Sequence, residues 1–239
     1  MSKIRNKPIG LIVTENLATA KVFEAHGMDF CCHGQQTVEE ACKNADVTVE
    51  QLEKELAAVG SKAEDQHIDL SALTTDDLAR HIISVHHTYV KTALPTITKR
   101  IVTVINAHGA NHPELKKIQK DFSALRDELD QHLLKEEEVL FPYIEALAVA
   151  SRKKGARPDS CFGDVADPIA MMEEEHVSAG QLLESIRTTA NDFRVPDDGC
   201  NTYRLLYQEL QEFEHDLHLH IAKENYMLFP QALELESKI

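Results

Sequence analysis

The chain has 239 residues, 43% of them hydrophobic, and a formal net charge of -15. That charge opposes non-specific binding to nucleic acid and to anionic membranes, both of which need Lys and Arg to displace counterions. No apolar run approaches the ~20 residues that span a bilayer, so neither nucleic acid nor membrane is expected as a partner.

Nine Gly and eight Pro are few for this length, which favours long helices over a many-stranded architecture. The opening MSKIRNKPIGLIV lacks the long apolar stretch and small-residue cleavage site of a signal peptide. Five Cys, an odd number that includes the adjacent Cys31 and Cys32, make a poor disulfide framework and fit a reducing compartment. A cytoplasmic location is the expectation.

Residues 1–59 read as a small helical unit. A first helix spans 16–26 and stops at Gly27. A loop follows, Met28-Asp29-Phe30-Cys31-Cys32-His33-Gly34. Thr37-Val38-Glu39-Glu40 and Thr48-Val49-Glu50-Gln51 are capping-box patterns that open two short amphipathic helices. Residues 60–74 are polar, without sustained period, and read as a linker. Four long helical patterns come next, over about 75–107, 113–151, 168–193 and 200–236. Pro95 is expected to kink the first, and Pro142 lies inside the second. The fold class expected is all-α: an antiparallel up-down-up-down four-helix bundle with a small N-terminal helical domain. The expected division is 1–59, linker 60–74, and bundle 75–239.

An eleven-residue string occurs twice, HLLKEEEVLFP at 132–142 and HIAKENYMLFP at 220–230, with six positions identical. In each copy a His and a Glu stand four apart and share one helix face. That face is otherwise apolar. The stripe of the second long helix reads Leu125, Leu129, His132, Glu136, Leu140, and that of the fourth reads Leu210, Phe213, Leu217, His220, Glu224, Leu228. His87 sits on the stripe of the first and His176 on that of the third. His86 competes with His87, which fits the stripe better. His81, His108, His112, His215 and His218 are expected at the surface, and the runs 136–138 and 173–175 mostly on solvated faces.

A lone His on an apolar face is commonly a satisfied core histidine, and a single His-Glu pair commonly a surface pair. Four His and two Glu on four core stripes are a different matter. Burying them without a partner costs several kcal/mol per ionised group. A pair of metal ions absorbs both carboxylate charges and coordinates the imidazoles. Structural zinc favours Cys ligands, whereas mixed imidazole and carboxylate suits iron, with manganese as the weaker option.

These residues together resemble the hemerythrin-like di-iron proteins. The match is closer to the bacterial iron-sulfur cluster repair family (ScdA/YtfE/DnrN, or RIC). That family joins an Asp-Phe/Tyr-Cys-Cys-Gly-Gly motif to a hemerythrin-like bundle. The counterparts here are Asp29-Phe30-Cys31-Cys32-His33-Gly34, then HIISVHH (81–87), HLLKEEEVLFP, MMEEEH (171–176) and HIAKENYMLFP. His33 stands where the family usually has Gly. The resemblance implies two iron ions, ligated by His87, His132, His176 and His220, with Glu136 and Glu224 as bridging carboxylates. Glu128 and Glu175 are candidates to orient the ligating imidazoles. An oxygen-carrying hemerythrin has a fifth His where this chain has Gly180, and an Asp where it has Asn225. The site is therefore expected to be more open than a carrier's.

The function implied is repair of iron-sulfur clusters damaged by nitrosative or oxidative stress, by donation of iron. Damaged iron-sulfur proteins and a small gas, NO or O2, are the implied partners, and a homodimer is compatible with the sequence. Cys31 and Cys32 are the candidate reactive groups. Two other readings stand beside this one: reduction of nitric oxide at the iron pair, and binding of oxygen or NO as a sensor.

Overall fold

A computed structural model describes residues 4–60 and 70–239. Most of the expected linker, residues 61–69, lies outside the described residues. The fold is all-α: among the described residues the only extended pairing is an isolated bridge between Pro8 and Thr37. No helix among them is long and apolar enough to cross a membrane. The chain divides into two compact units.

The first unit comprises Met1–Leu78, Leu147–Arg157 and His218–Ile239. Its N-terminal part holds α1 (Ile9–Glu15), α2 (Ala20–Ala25), α3 (Val38–Asn44) and α4 (Val49–Gly60). The capping box at α3 forms: Thr37 Oγ1 accepts from Glu40 N, and Glu40 accepts from Thr37 N at 2.8 Å. Thr48 Oγ1 accepts from Gln51 N at 3.2 Å at the start of α4. Gly27 stops α2 at φ +63°, a left-handed conformation that costs glycine little. The structure adds α1, which the sequence pattern did not predict. Its residues Ile9, Ile12 and Val13 are buried, so packing rather than propensity holds it.

The packing partner of α1 is the last stretch of the same unit. A Cβ built on Gly10 would sit 2.5 Å from the Tyr226 ring, and one on Gly34 would sit 2.8 Å from the Tyr226 hydroxyl. Asn225 Nδ2 donates to the Cys31 carbonyl at 3.1 Å, and His218 Nδ1 meets Glu24 at 3.2 Å. Arg152 grips Asp76 with two bonds of 2.8 and 2.9 Å.

The second unit comprises Ala79–Ala146 and Pro158–Leu217. It draws on every long helix: α5 (Thr75–Ile82) and α6 (Thr88–His108), α7 (Glu114–Lys135) and α8 (Phe141–Lys153), α9 (Ala166–Thr189), and α10 (Asn201–Lys223), which continues into α11 (Phe229–Ser237). Partner pairs give the directions. Lys117–Ser185, Glu128–Ser178 and His132–Glu175 run in opposite senses along α7 and α9. His86–Asp216 and Arg100–Glu209 do the same between the first helix and α10. Neighbours are therefore antiparallel, as in an up-and-down four-helix bundle. Its core is the predicted stripes: Val90, Leu94, Ile97, Leu125 and Leu129 are all buried, with Phe122 edge-on to Phe213 at 5.7 Å. The helix runs through Pro95 without a break. α9 ends at Thr189, earlier than the apolar Phe193 suggested. Asn191, Asp192 and Phe193 all take positive φ, and this left-handed turn buries Phe193 beneath the Arg187 guanidinium.

The long helices contain three π-helical turns, Ile83–His87, Glu136–Leu140 and Glu224–Leu228. In the last two the cause is local. Pro142 and Pro230 lack an N–H, and their rings would strike the carbonyl four residues back. The helix widens so that Phe141 N donates to Glu136 O and Phe229 N to Glu224 O, five residues back. In the first, the Thr88 hydroxyl bonds the Ile83 carbonyl at 3.2 Å, and Thr88 N donates to the same oxygen.

The Gly10–Tyr226 contact gives a test. Gly10→Ala is expected to destabilise the protein by about 1–3 kcal/mol, the usual penalty of overpacking. In a Tyr226→Ala background the same change should cost far less. Denaturant melts of the four proteins of this cycle measure the coupling, and additive costs would show that the contact carries no energy.

Candidate metal centre

In the second unit, His87, His132, Glu136 and His176 are between 0 and 4% exposed. The carboxylate of Glu136, at the first position of its π turn, lies with its Oε2 3.4 Å from both His87 Nε2 and His132 Nε2. The Nε2 atoms of His132 and His176 are 3.2 Å apart. One donor atom from each of His132, Glu136 and His176 lies within 4.8 Å of the others.

The outer face of each ring explains the inner one. His87 Nδ1 lies 2.8 Å from Glu137 Oε1, and His132 Nδ1 lies 2.9 Å from Glu175 Oε2. A carboxylate only accepts, so each Nδ1 carries the proton, and in the neutral ring Nε2 is a bare lone pair pointing inward. Lysines hold both carboxylates in place, Lys91 on Glu137 at 2.6 Å and Lys135 on Glu175. Burial raises the Glu137 carboxyl, but Lys91 and His87 outweigh it and leave it below the usual range. Glu175 is held down to about 2 by His132, against partial burial, with Lys135 adding to the effect.

With both rings neutral, two lone pairs face a carboxylate oxygen in a water-poor core, and a cation between them would turn the group into a ligand set. The distances agree: two metal–nitrogen bonds of ~2.1 Å span 3.2 Å at an angle of roughly 100°. The residues fit a buried metal.

The first unit carries the second copy of the repeat. His220 is 1% exposed and Glu224 is 0% exposed, with His220 Nε2 2.8 Å from Glu224 Oε1. Glu224 opens its π turn as Glu136 opens the other. The two residues that follow have different partners in the two copies. Glu137 buttresses His87, while Asn225, at the matching position, reaches the Cys31 carbonyl.

The thiol loop lies in this same unit. Cys31 is buried and Cys32 half-buried, with their sulfurs 3.6 Å apart. Asp29 Oδ1 accepts from Cys31 N at 3.1 Å and Cys32 N at 2.9 Å, and lies 3.3 Å from Cys31 Sγ. Its Oδ2 meets His33 Nδ1 at 2.6 Å. The hydrogen bond with Cys32, burial and Asp29 together push the Cys31 thiol well above its ordinary value. Burial works against ionisation of Asp29, but His33, the Cys32 N–H and the Cys31 thiol outweigh it, and the carboxyl stays low.

Several sequence expectations meet the geometry here. Of the adjacent pair, His87 faces Glu136, and His86 turns to Asp216 at 2.9 Å. Glu175 does hold a ring nitrogen, whereas Glu128 accepts from Ser178 instead. Glu137 was missed: it lies off the apolar stripe and was assigned to a solvated acidic run. The helical period places it one residue from a core position, which was the available signal. His81, His108, His112, His215 and His218, expected at the surface, are half-buried. His112 spans Glu114 at 2.7 Å and Asp198 at 2.9 Å.

A helical bundle with buried His and Glu donors is the design of a hemerythrin-type cation-binding protein. Residues 78–232 match the hemerythrin HHE cation binding domain, and residues 5–60 match ScdA_N, a domain of unknown function. The chain belongs to the family of bacterial proteins named iron-sulfur cluster repair protein YtfE. It is 34% identical to the one from Edwardsiella ictaluri (strain 93-146), over 229 residues that cover 96% of this chain and 97% of the relative. The proteins from Enterobacter sp. (strain 638) and Escherichia coli O8 (strain IAI1) are 32% and 31% identical with the same coverage.

Glu175 gives a pH-dependent prediction. Its folded value, about 2, lies below the ordinary 4.5. A depressed carboxylate stabilises the fold fully above the unfolded value and loses that contribution as pH falls through the folded one. Acid unfolding of metal-stripped protein should therefore be shallower in Glu175→Gln across this window. The same variant should bind metal about 10–100-fold more weakly. Overlapping acid-unfolding curves by circular dichroism would refute the first expectation.

Proposed function

We propose that the protein repairs iron-sulfur clusters damaged by nitrosative or oxidative stress, using a di-iron centre from which iron is donated. The proposed ligands are His87, His132, His176 and His220, with Glu136 and Glu224 as bridging carboxylates. The observation that carries this reading is the geometry around Glu136: carboxylates sit against the outer nitrogens of His87 and His132, while their Nε2 atoms lie 3.4 Å from the buried Glu136 carboxylate. A mixed imidazole and carboxylate set without thiolate favours iron over structural zinc. Paired Glu-bearing helices in a bundle are where carboxylate-bridged metal pairs are built. The name borne by relatives alignable over nearly the whole chain supports cluster repair as the task.

Iron at this centre would supply both a transferable ion and a redox couple. The chain's own residues do the rest. Glu137 and Glu175 keep the rings of His87 and His132 in the ligating tautomer. Cys31 and Cys32 are the groups that would receive iron or react with the damaged client. In this reading 1–59 is the thiol domain, 60–74 the linker and 75–239 the metal-binding bundle. The location is the reducing cytoplasm, and NO or O2 is the gas encountered. Reversible oxygen carriage is disfavoured, because Asn225 is engaged with Cys31 where a carrier has a ligating Asp.

His132→Ala or Glu224→Ala is expected to remove more than half of the iron from anaerobically purified protein, measured by metal analysis. Reactivation of an NO-damaged iron-sulfur enzyme should fall in parallel, and should also fail in a Cys31→Ser/Cys32→Ser variant that keeps its iron. Full iron in both ligand variants would overturn the site. Catalytic nitrous oxide formation without reactivation would replace repair with NO reduction.

A further inference from the structure

The thiol loop carries a donor set of its own. Asp29, Cys31 and Cys32 each offer one atom within 4.8 Å of the others. The Sγ–Sγ distance is 3.6 Å, and Cys31 Sγ lies 3.3 Å from Asp29 Oδ1. In a tetrahedral site with metal–sulfur bonds of ~2.3 Å and metal–oxygen bonds of ~2.0 Å, the sulfur–sulfur edge is about 3.8 Å and the sulfur–oxygen edge about 3.5 Å. Both observed edges fall within a few tenths of an ångström of those values. Capping the loop explains only part of the Asp29 contacts, since its Oδ1 also approaches a sulfur and its Oδ2 takes His33 Nδ1 at 2.6 Å.

We propose that Asp29, Cys31 and Cys32 form a second cation site, for a thiophilic divalent ion, with His33 holding the Asp29 carboxylate in position. Binding replaces the two thiol protons, which leave to solvent, by two metal–sulfur bonds. No electron moves. Three protein donors leave one coordination position for an exchangeable ligand, as in open metal sites and unlike closed structural ones. The Asp29 side chain is 40% exposed and Cys32 half-buried, so the ion has a route in. Softness separates this site from the bundle. Two sulfurs select a thiophilic ion, whereas the bundle set has none. His33 is placed to hold the Asp29 carboxylate, with its Nδ1 2.6 Å from Asp29 Oδ2. It acts through Asp29 and is a positioning residue.

The inference deepens the proposed function by giving the thiol pair an ion to hold, and its test is read separately. The probe is Co2+, added to reduced, metal-stripped, full-length protein without oxygen. One equivalent is expected to give a thiolate-to-cobalt charge-transfer band, which nitrogen and oxygen ligands in the bundle cannot produce. The band should vanish in Cys31→Ser/Cys32→Ser and persist in Cys161→Ser/Cys200→Ser and in His132→Ala. His33→Gly should keep the band but weaken Co2+ binding about tenfold, and His33→Gln, which can still donate to Asp29, should recover part of the loss. Absence of the band in the wild-type protein, or its survival in the Cys31/Cys32 double variant, overturns the site. Absence of the band in wild-type protein that still reactivates clusters would refute the inference alone. Loss of bundle iron assignment with the band intact would refute the earlier reading alone.

Discussion

The burial of two carboxylates governs the rest of the structure. Glu136 and Glu224 are each 0% exposed. An ionised carboxylate in such a setting costs several kcal/mol even after local relaxation, against a total stability of about 5–15 kcal/mol for an ordinary domain. A fold cannot carry two such charges without compensation. In the second unit the surroundings of Glu136 are arranged to supply it through a cation: two imidazoles present lone pairs, and their outer nitrogens are held by Glu137 and Glu175. Those two acids are held below the usual carboxylate range, Glu137 by Lys91 and His87 against burial, Glu175 by His132 with Lys135 adding to it. Charge alternates outward from the buried carboxylate to the surface lysines.

The π turns belong to the same constraint. Each of the two Leu-Phe-Pro sequences puts a proline six residues beyond the buried Glu. The missing N–H and the ring clash widen the helix in the stretch that begins with the carboxylate. Proline thus acts on the local backbone, the backbone aims the acid, and the acid demands the metal. The π turn at Ile83–His87 reaches the same form through a hydroxyl instead, that of Thr88.

The helices and the burial of the six proposed donors were legible in the sequence because both obey the 3.6-residue period. Apolar residues mark the buried face, and any His or Glu on it stands out. What escaped lay off that period. Glu137 belongs to an acidic run and becomes structural only through His87 on another helix. α1 carries Gly10 and β-branched residues, so its propensity is weak, and Tyr226, more than two hundred residues away, holds it in place. The end of α9 was misplaced because Phe193 is buried by a left-handed turn rather than by continuation of the helix. In each case a contact distant in sequence overrode a local signal.

The repeat shows how one framework serves two ends. His, Lys, Glu, Leu, Phe and Pro recur because both copies must build the same π turn around a buried acid. Three of the five divergent positions follow directly after that acid. Glu137 in the first copy turns to a ring nitrogen of the donor set. In the second copy Asn225 turns to the Cys31 carbonyl, and Tyr226 fills the space that Gly10 and Gly34 leave open. A Cβ at Gly10 would collide with the tyrosine ring, and one at Gly34 with the Phe30 carbonyl as well as the tyrosine hydroxyl. The thiol loop is therefore tied to the residue adjoining Glu224, and any displacement of that π turn is transmitted to the Cys31 backbone through one hydrogen bond. Identity between the copies reports what the buried acids require, and difference reports what the second unit and the thiol loop each require of them.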